Sequence, residues 1–237
     1  MFKTRSGKLE RIDTGDYTPE EYDVFLREIR LVNRLAGDAW ALKKTLLQEI
    51  KKSDLQNFSV LDVGAGSGEL LRIIAKFARR KNRISHLFGL ELNARSADAI
   101  VEESKNFAEI FSVRGDALKL PFADNSFDYT ICSLFTHHFT NENVVRILEE
   151  ITRVTHRKIY IIDLHRHRIA YFLYKIFCAG FRISPLVRED GSLSILRSFT
   201  PAELKRLARA ANLKKIRVKR YFPYRLVLEA EKLTADE

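Results

Sequence analysis

Val60-Leu61-Asp62-Val63-Gly64-Ala65-Gly66-Ser67-Gly68 decides the fold. A short apolar run ends in three glycines at alternate positions, and a stretch with helical apolar spacing, 69–79, follows at once. An apolar run of this length bounded by glycine reads as a buried strand, and the spacing behind it reads as a helix. Gly64 and Gly66 let the backbone turn sharply and approach a ligand closely, because neither carries a Cβ. Gly68 lets the next helix pack tightly. Gly-x-Gly-x-Gly alone is a weak signal, and its place between a strand and a helix strengthens it.

Working outward, the same alternation repeats. Strands are expected at 58–63, 86–92, 108–113, 127–133 and 157–164, with helices at 69–79, 94–107 and 141–155. Strands alternating with helices predict an α/β chain whose parallel sheet is covered on both faces. The last two strands, 213–221 and 224–231, are separated by Phe222-Pro223. So short a link allows only a hairpin. The expected sheet is therefore seven-stranded and mostly parallel, with one antiparallel strand.

Upstream, Thr18-Pro19-Glu20-Glu21 reads as a capped helix start. Tyr22, Phe25, Leu26, Ile29, Val32 and Leu35 follow at helical spacing, and Gly37 should end that helix. A second helix is expected at 38–51, carrying Trp40, Leu42, Leu46, Leu47 and Ile50. Downstream, 167–187 is a broken apolar segment, and Thr200-Pro201-Ala202-Glu203 opens another capped helix. One domain over 1–237 is expected, with a helical cap (1–55), a ligand-binding core (56–165), an insertion (166–200), and a terminal helix and hairpin (201–237).

Composition sets limits. The chain is 46% hydrophobic and 30% charged, ordinary for a globular protein. Met1–Asp13 lacks the apolar core of a secretion signal, and no run is long and apolar enough to span a bilayer. Cys132 and Cys178 sit in apolar stretches and read as buried reduced thiols of a cytoplasmic protein. No metal-ligand spacing of Cys and His is present, so no metal is expected. Net charge is +10, yet residues 151–225 hold 18 Lys or Arg against 4 Asp or Glu, a local balance of +14. That half could meet nucleic acid, an anionic membrane or an acidic substrate, or be a plain solvated surface.

Two acids join the glycine loop at successive strand ends. Glu91 lies about twenty residues beyond the loop, where a carboxylate can accept both hydroxyl protons of a ribose. Asp116, in Arg114-Gly115-Asp116-Ala117, can accept from an exocyclic adenine amine. Strand-end acids also cap helices, so neither is specific alone. Their succession matters because sheets of this kind bind ligands at the carboxyl edges of their strands. A dinucleotide enzyme competes for the same features. The Gly-x-Gly-x-Gly spacing argues against it, and so does Asp62, whose charge would repel a pyrophosphate but could orient the amine of a bound amino acid.

From Val60 to Asp163 the chain resembles the class I S-adenosylmethionine-dependent methyltransferases, in particular the small-molecule branch of ubiquinone and menaquinone type. Gly115-Asp116-Ala117-Leu118-Lys119-Leu120-Pro121-Phe122, Ser126-Phe127-Asp128 and Ser133-Leu134-Phe135-Thr136-His137-His138-Phe139 carry the resemblance. It implies a Rossmann-like doubly wound fold and S-adenosyl-L-methionine as cofactor. The implied pocket residues are Asp62, Gly64, Ala65, Gly66, Gly68, Glu91, Leu92, Asp116, Ala117 and Ser133. Val154-Thr155-His156-Arg157-Lys158 stands where the family commonly has a Pro-Gly-Gly turn. The C-terminal part, through Arg188-Glu189-Asp190-Gly191 and Arg197-Ser198-Phe199-Thr200, is similar to bacterial methyltransferases found with polyketide or lipid genes.

The resemblance also suggests a base. In related small-molecule enzymes a histidine after the fourth strand and the acid ending the fifth serve as base and orienting group, which here points to His137, His138 and Asp163, with one of the two histidines facing the pocket. The expected function is methyl transfer to oxygen or carbon of a small, lipophilic, phenolic or polyketide-like acceptor. The crowded aromatics of 169–187 read either as an insertion packed on the core or as a lid, with a basic rim that could touch an anionic membrane. RNA or protein methylation and a non-catalytic cofactor-binding role are the alternatives. Ser133-Leu134-Phe135-Thr136 lacks the Asn/Asp-Pro-Pro-aromatic motif used on base amino groups, so a nucleic-acid partner is not expected.

Overall fold

The computed structural model describes residues 2–35 and 37–232. Four helices precede the sheet: α1 (Arg11–Thr14), α2 (Pro19–Leu35), α3 (Asp38–Lys44) and α4 (Leu46–Lys52). The core then alternates β1 (Asn57–Val63), α5 (Glu69–Arg80), β2 (Ile84–Glu91), α6 (Ala94–Glu103), β3 (Ile110–Arg114), β4 (Phe127–Ser133), α7 (Asn141–Val154) and β5 (Thr155–Leu164). Two helices, α8 (Arg168–Gly180) and α9 (Pro185–Arg197), lie between β5 and α10 (Pro201–Ala210), and β6 (Lys214–Tyr221) and β7 (Arg225–Glu231) close the chain.

Among the described residues the sheet has seven strands in the order β3-β2-β1-β4-β5-β7-β6. All neighbours run parallel except β7, which is antiparallel to both β5 and β6. This is the expected doubly wound sheet with one antiparallel strand. The direction of winding reverses between β1 and β4, the point where such sheets open a crevice beyond their carboxyl ends. One apolar layer packs α7 and α10 on the sheet, through Ile147, Ile151, Leu204 and Ala208. The other packs α3, α4 and α5, through Leu42, Leu46, Ile50, Leu71 and Ile74.

Much of the positive charge has a structural place. Edge strand β6 holds Lys214, Lys215, Arg217, Lys219 and Arg220, and Lys215 and Lys219 pair with Glu231 and Glu229 on β7. Lysine-rich edges discourage pairing with another sheet.

Three expectations are corrected. The helix expected at 38–51 breaks at Thr45, whose φ −117° and ψ −94° lie outside helical geometry. Gly37, at φ +92°, precedes α3 and lies so close to Phe222 and Pro223 that a Cβ would meet them at 2.7 Å. The broken segment is two helices, with Pro185 at the start of α9, where its missing N–H costs nothing. The second strand stops at Glu91, leaving Leu92 in the turn.

Candidate functional site

The carboxyl ends of β1, β2, β4 and β5 open into one cavity of about 930 Å³. Its sheet side carries Asp62, Gly64, Ala65, Gly66, Glu91 and Ser133. Gly64 and Gly66 adopt φ +72° and +58°. A Cβ on Gly64 would meet the Phe135 ring at 2.4 Å, whereas nothing lies within 4 Å of one on Gly66. The backbone at Gly66 is therefore bare toward open space, which is where a ligand can come close.

Two carboxylates face this loop. Glu91 accepts from the Gly66 N–H at 2.5 Å, and burial raises its pKa. Asp62 is 1% exposed, and its Oδ1 has no hydrogen-bond partner among the described residues. Burial, then the nearby Glu91 charge, push its pKa up to about 8. A buried acid with an unused oxygen is costly unless a donor or cation meets it.

Not every implied pocket residue lies on the cavity wall. Gly68, at φ +79°, caps α5. Leu92 is 65% exposed. Asp116 is exposed, and its Oδ1 accepts from the Leu118 N–H at 2.9 Å, so it holds its own turn. Ala117 is buried in the core beside that turn.

Across the cavity stand the histidines. After β4 the chain turns through Leu134, at φ +50°, into a single 3₁₀ turn, Thr136–His138. Asp163, fully buried at the end of β5, pins that turn. It accepts from the Thr136 hydroxyl (2.5 Å), the His137 N–H (3.1 Å), the Leu164 N–H (2.7 Å) and His137 Nδ1 (2.7 Å). Burial alone would raise the Asp163 pKa, but these partners, His137 foremost, hold it at about 2. An ionised carboxylate cannot donate, so the proton between Asp163 and His137 sits on Nδ1, and whenever the imidazole is neutral its lone pair is on Nε2.

Both histidines line the cavity, their rings 4.2 Å apart, so the expectation that one would face it is too narrow. His138 has its own acid, with Nδ1 3.1 Å from Asp13. Burial works to raise the Asp13 pKa, and His138, Arg197 and the Glu10 backbone together outweigh it and lower it. Glu10, beside them, is 2% exposed, and burial raises its pKa to about 7.

Sequence reasoning missed Glu10, Asp13, Asp190 and Arg197. Asp190 accepts from the N–H groups of Arg11 (2.8 Å) and Ile12 (2.9 Å), tying α1 to α9. Arg197 donates to the carbonyls of His137 (3.2 Å), Lys8 (3.0 Å) and His138. No local pattern marks these residues, since their partners are remote in sequence. His165 also lines the cavity, and burial lowers its pKa to about 4, so it is neutral.

Residues 61–162 match a family model described as a methyltransferase domain. Residues 61–162 carry a methyltransferase domain, and the fold is that of S-adenosylmethionine-dependent methyltransferases of solved structure. The chain is 29% identical over 140 residues to a probable tRNA methyltransferase 9B of Bos taurus, covering 56% of this chain and 26% of that protein. It is 25% identical over 170 residues to a demethylmenaquinone methyltransferase of Bacillus licheniformis, covering 64% and 68%. Magnesium protoporphyrin IX methyltransferase of Synechocystis PCC 6803, solved with bound SAH, superposes at TM-score 0.66 and 15% identity, over 94% of this chain and all of that one. The chain thus spans about a quarter of the bovine relative and two thirds of the bacterial one.

The sheet side of the cavity fits S-adenosylmethionine on its own chemistry. The unpartnered Asp62 oxygen suits the cofactor's amine, the bare backbone at Gly66 admits close approach, and Glu91 suits the ribose hydroxyls.

Proposed function

We propose that this methyltransferase modifies oxygen or carbon of a small, largely apolar acceptor, with His137 as base and Asp163 as its orienting group. The buried His137–Asp163 pair carries this reading, because His137 shares one cavity with the Gly64–Gly66 loop. Asp62, Gly64, Ala65, Gly66, Glu91 and Ser133 hold the cofactor in this reading, and Gly68 shapes the loop. Asp116 and Ala117 serve the adenine only if their turn opens toward it, since Asp116 now bonds to Leu118.

S-adenosylmethionine supplies an activated methyl group when bound. The chain's own residues contribute alignment and proton removal. Asp163 fixes the His137 tautomer, leaving Nε2 able to take a proton from an acceptor hydroxyl or acidic carbon. The pair is buried and water has little access, which strengthens its electrostatics.

The acceptor side of the cavity is apolar: Phe25, Leu26, Phe135, Leu173, Tyr174 and Phe177. That wall supports a lipophilic substrate. Helices α2 and α8 supply most of it, and α8 and α9 act as a lid in this reading. The outer face of α8 presents Ile169, Phe172, Ile176 and, just beyond, Phe181, all more than half exposed, with Arg168, Lys175 and Arg182 beside them and no acid on the helix. Such a face suits peripheral contact with an anionic bilayer. No helix among the described residues is long and apolar enough to cross a membrane.

The test is transfer of radiolabelled methyl from S-adenosylmethionine over a panel of phenols, quinone precursors, polyketide-like lipids and RNA. Labelling of a small acceptor, lost on His137→Ala, is expected. Labelling of RNA alone, or of nothing despite cofactor binding, would sink the reading.

A further inference from the structure

Glu10, His137 and His138 each offer one donor atom, and the three atoms lie within 4.8 Å of one another. Glu10 Oε1 is buried and has no hydrogen-bond partner among the described residues. Arg197 Nε lies 3.8 Å from it and His138 Nδ1 3.9 Å. Asp163 holds His137 through Nδ1 at 2.7 Å, and Asp13 lies 3.1 Å from His138 Nδ1, the atom that also stands 3.9 Å from Glu10 Oε1. Outer carboxylates such as Asp163 orient metal-binding histidines and raise their basicity. Arg197 is engaged with Asp13 and three main-chain carbonyls, two of them those of His137 and His138, so it braces the backbone that carries the donors. Arg5 braces it too, donating to the carbonyls of His137 (3.1 Å) and Phe139 (2.9 Å). Three carboxylates, Glu10, Asp13 and Asp163, stand against these two guanidiniums.

We propose that Glu10, His137 and His138 bind one divalent transition-metal ion, and that the ion takes His137 out of proton transfer. Two imidazoles and one carboxylate suit zinc or cobalt, while magnesium prefers an all-oxygen shell. Bonds of about 2.0–2.2 Å to a tetrahedral ion put donors roughly 3.4 Å apart, so the three must draw in by about an ångström. Glu10, at the start of the short helix α1, and the partly exposed His138 can supply that movement. Because Nδ1 of His137 is held by Asp163, the ion must use the lone pair on Nε2. That is the atom assigned to proton removal, so ion and proton compete for it. The inhibitory half of the proposal rests on the function proposed above, and the binding half does not.

The test uses full-length protein stripped with EDTA, without S-adenosylmethionine. Titration with Co(II) should give visible d–d bands of a four- or five-coordinate ion, saturating at one equivalent. Zn(II) should displace it, and Mg(II) should not. Glu10→Gln and His138→Ala should each weaken binding by about tenfold or more, and Glu10→Gln serves alone if the other fails to fold. Mutation of the exposed His86 to Ala should change nothing. Absence of the bands, or unchanged affinity in Glu10→Gln, would overturn the site. Zinc loading should suppress methyl transfer, with recovery on chelation, and full occupancy with undiminished turnover would overturn the inhibitory half. Calorimetry with S-adenosylmethionine on the stripped protein tests the methyltransferase reading separately.

Discussion

Replacing Asp62 by Asn should stabilise the protein without cofactor at pH 8 and weaken its hold on S-adenosylmethionine. Asp62 is 1% exposed with one oxygen unpartnered, and its pKa is pushed up to about 8 against 3.8 for a free aspartate. The folded state therefore keeps a proton that the unfolded chain releases above about pH 4. For a raised acid, stability is full below the unfolded pKa and falls until the folded pKa is passed. The slope is about 1.4 kcal/mol per pH unit, so from pH 5 to pH 8 the cost is on the order of 4 kcal/mol. Asn cannot ionise, so the variant lacks this loss. Urea unfolding of both proteins at pH 5, 6, 7 and 8 reads the effect as a difference that grows with pH in favour of the variant. Bound cofactor acts oppositely, because its amine meets the ionised Asp62. A charge-assisted hydrogen bond contributes about 1–2 kcal/mol more than a neutral one, so calorimetry at pH 8 should show about 5- to 30-fold weaker binding by the variant. Parallel pH curves, or equal cofactor affinity, would refute the reasoning.

Gly64→Ala places a Cβ 2.4 Å from the Phe135 ring at φ +72°, and should cost about 2–4 kcal/mol, a Tm loss of roughly 5–15 °C by calorimetry. Asp163→Asn loosens the His137 tautomer, and turnover should fall by about 100-fold or more while cofactor affinity stays within about threefold. The double change of Ile169 and Phe172 to Glu alters only exposed positions on α8, so stability should hold within about 0.5 kcal/mol while binding to anionic vesicles disappears in co-sedimentation. Cys132 is buried and its thiol pKa is raised by burial, so a thiol reagent should label it only after denaturant is added.

The sequence by itself determined the alternation of strands and helices in the core, the single antiparallel strand and the glycine loop. Each follows from contacts between residues close in the chain: strand and helix periodicities, the two-residue link at Phe222-Pro223 and the missing Cβ atoms of Gly64 and Gly66. Even locally, reading stopped at Thr45, which leaves helical geometry inside a stretch whose apolar spacing runs on. The tertiary structure decided which carboxylate serves which histidine. Asp163 reaches His137 because β4 and β5 pair in the sheet, and Asp13 reaches His138 because Asp190 on α9 ties down α1. It also decided that Glu10 is buried beside both histidines with an oxygen to spare. Burial and charge at these positions are set by elements that meet only after the sheet has formed, and no local pattern in the chain encodes them.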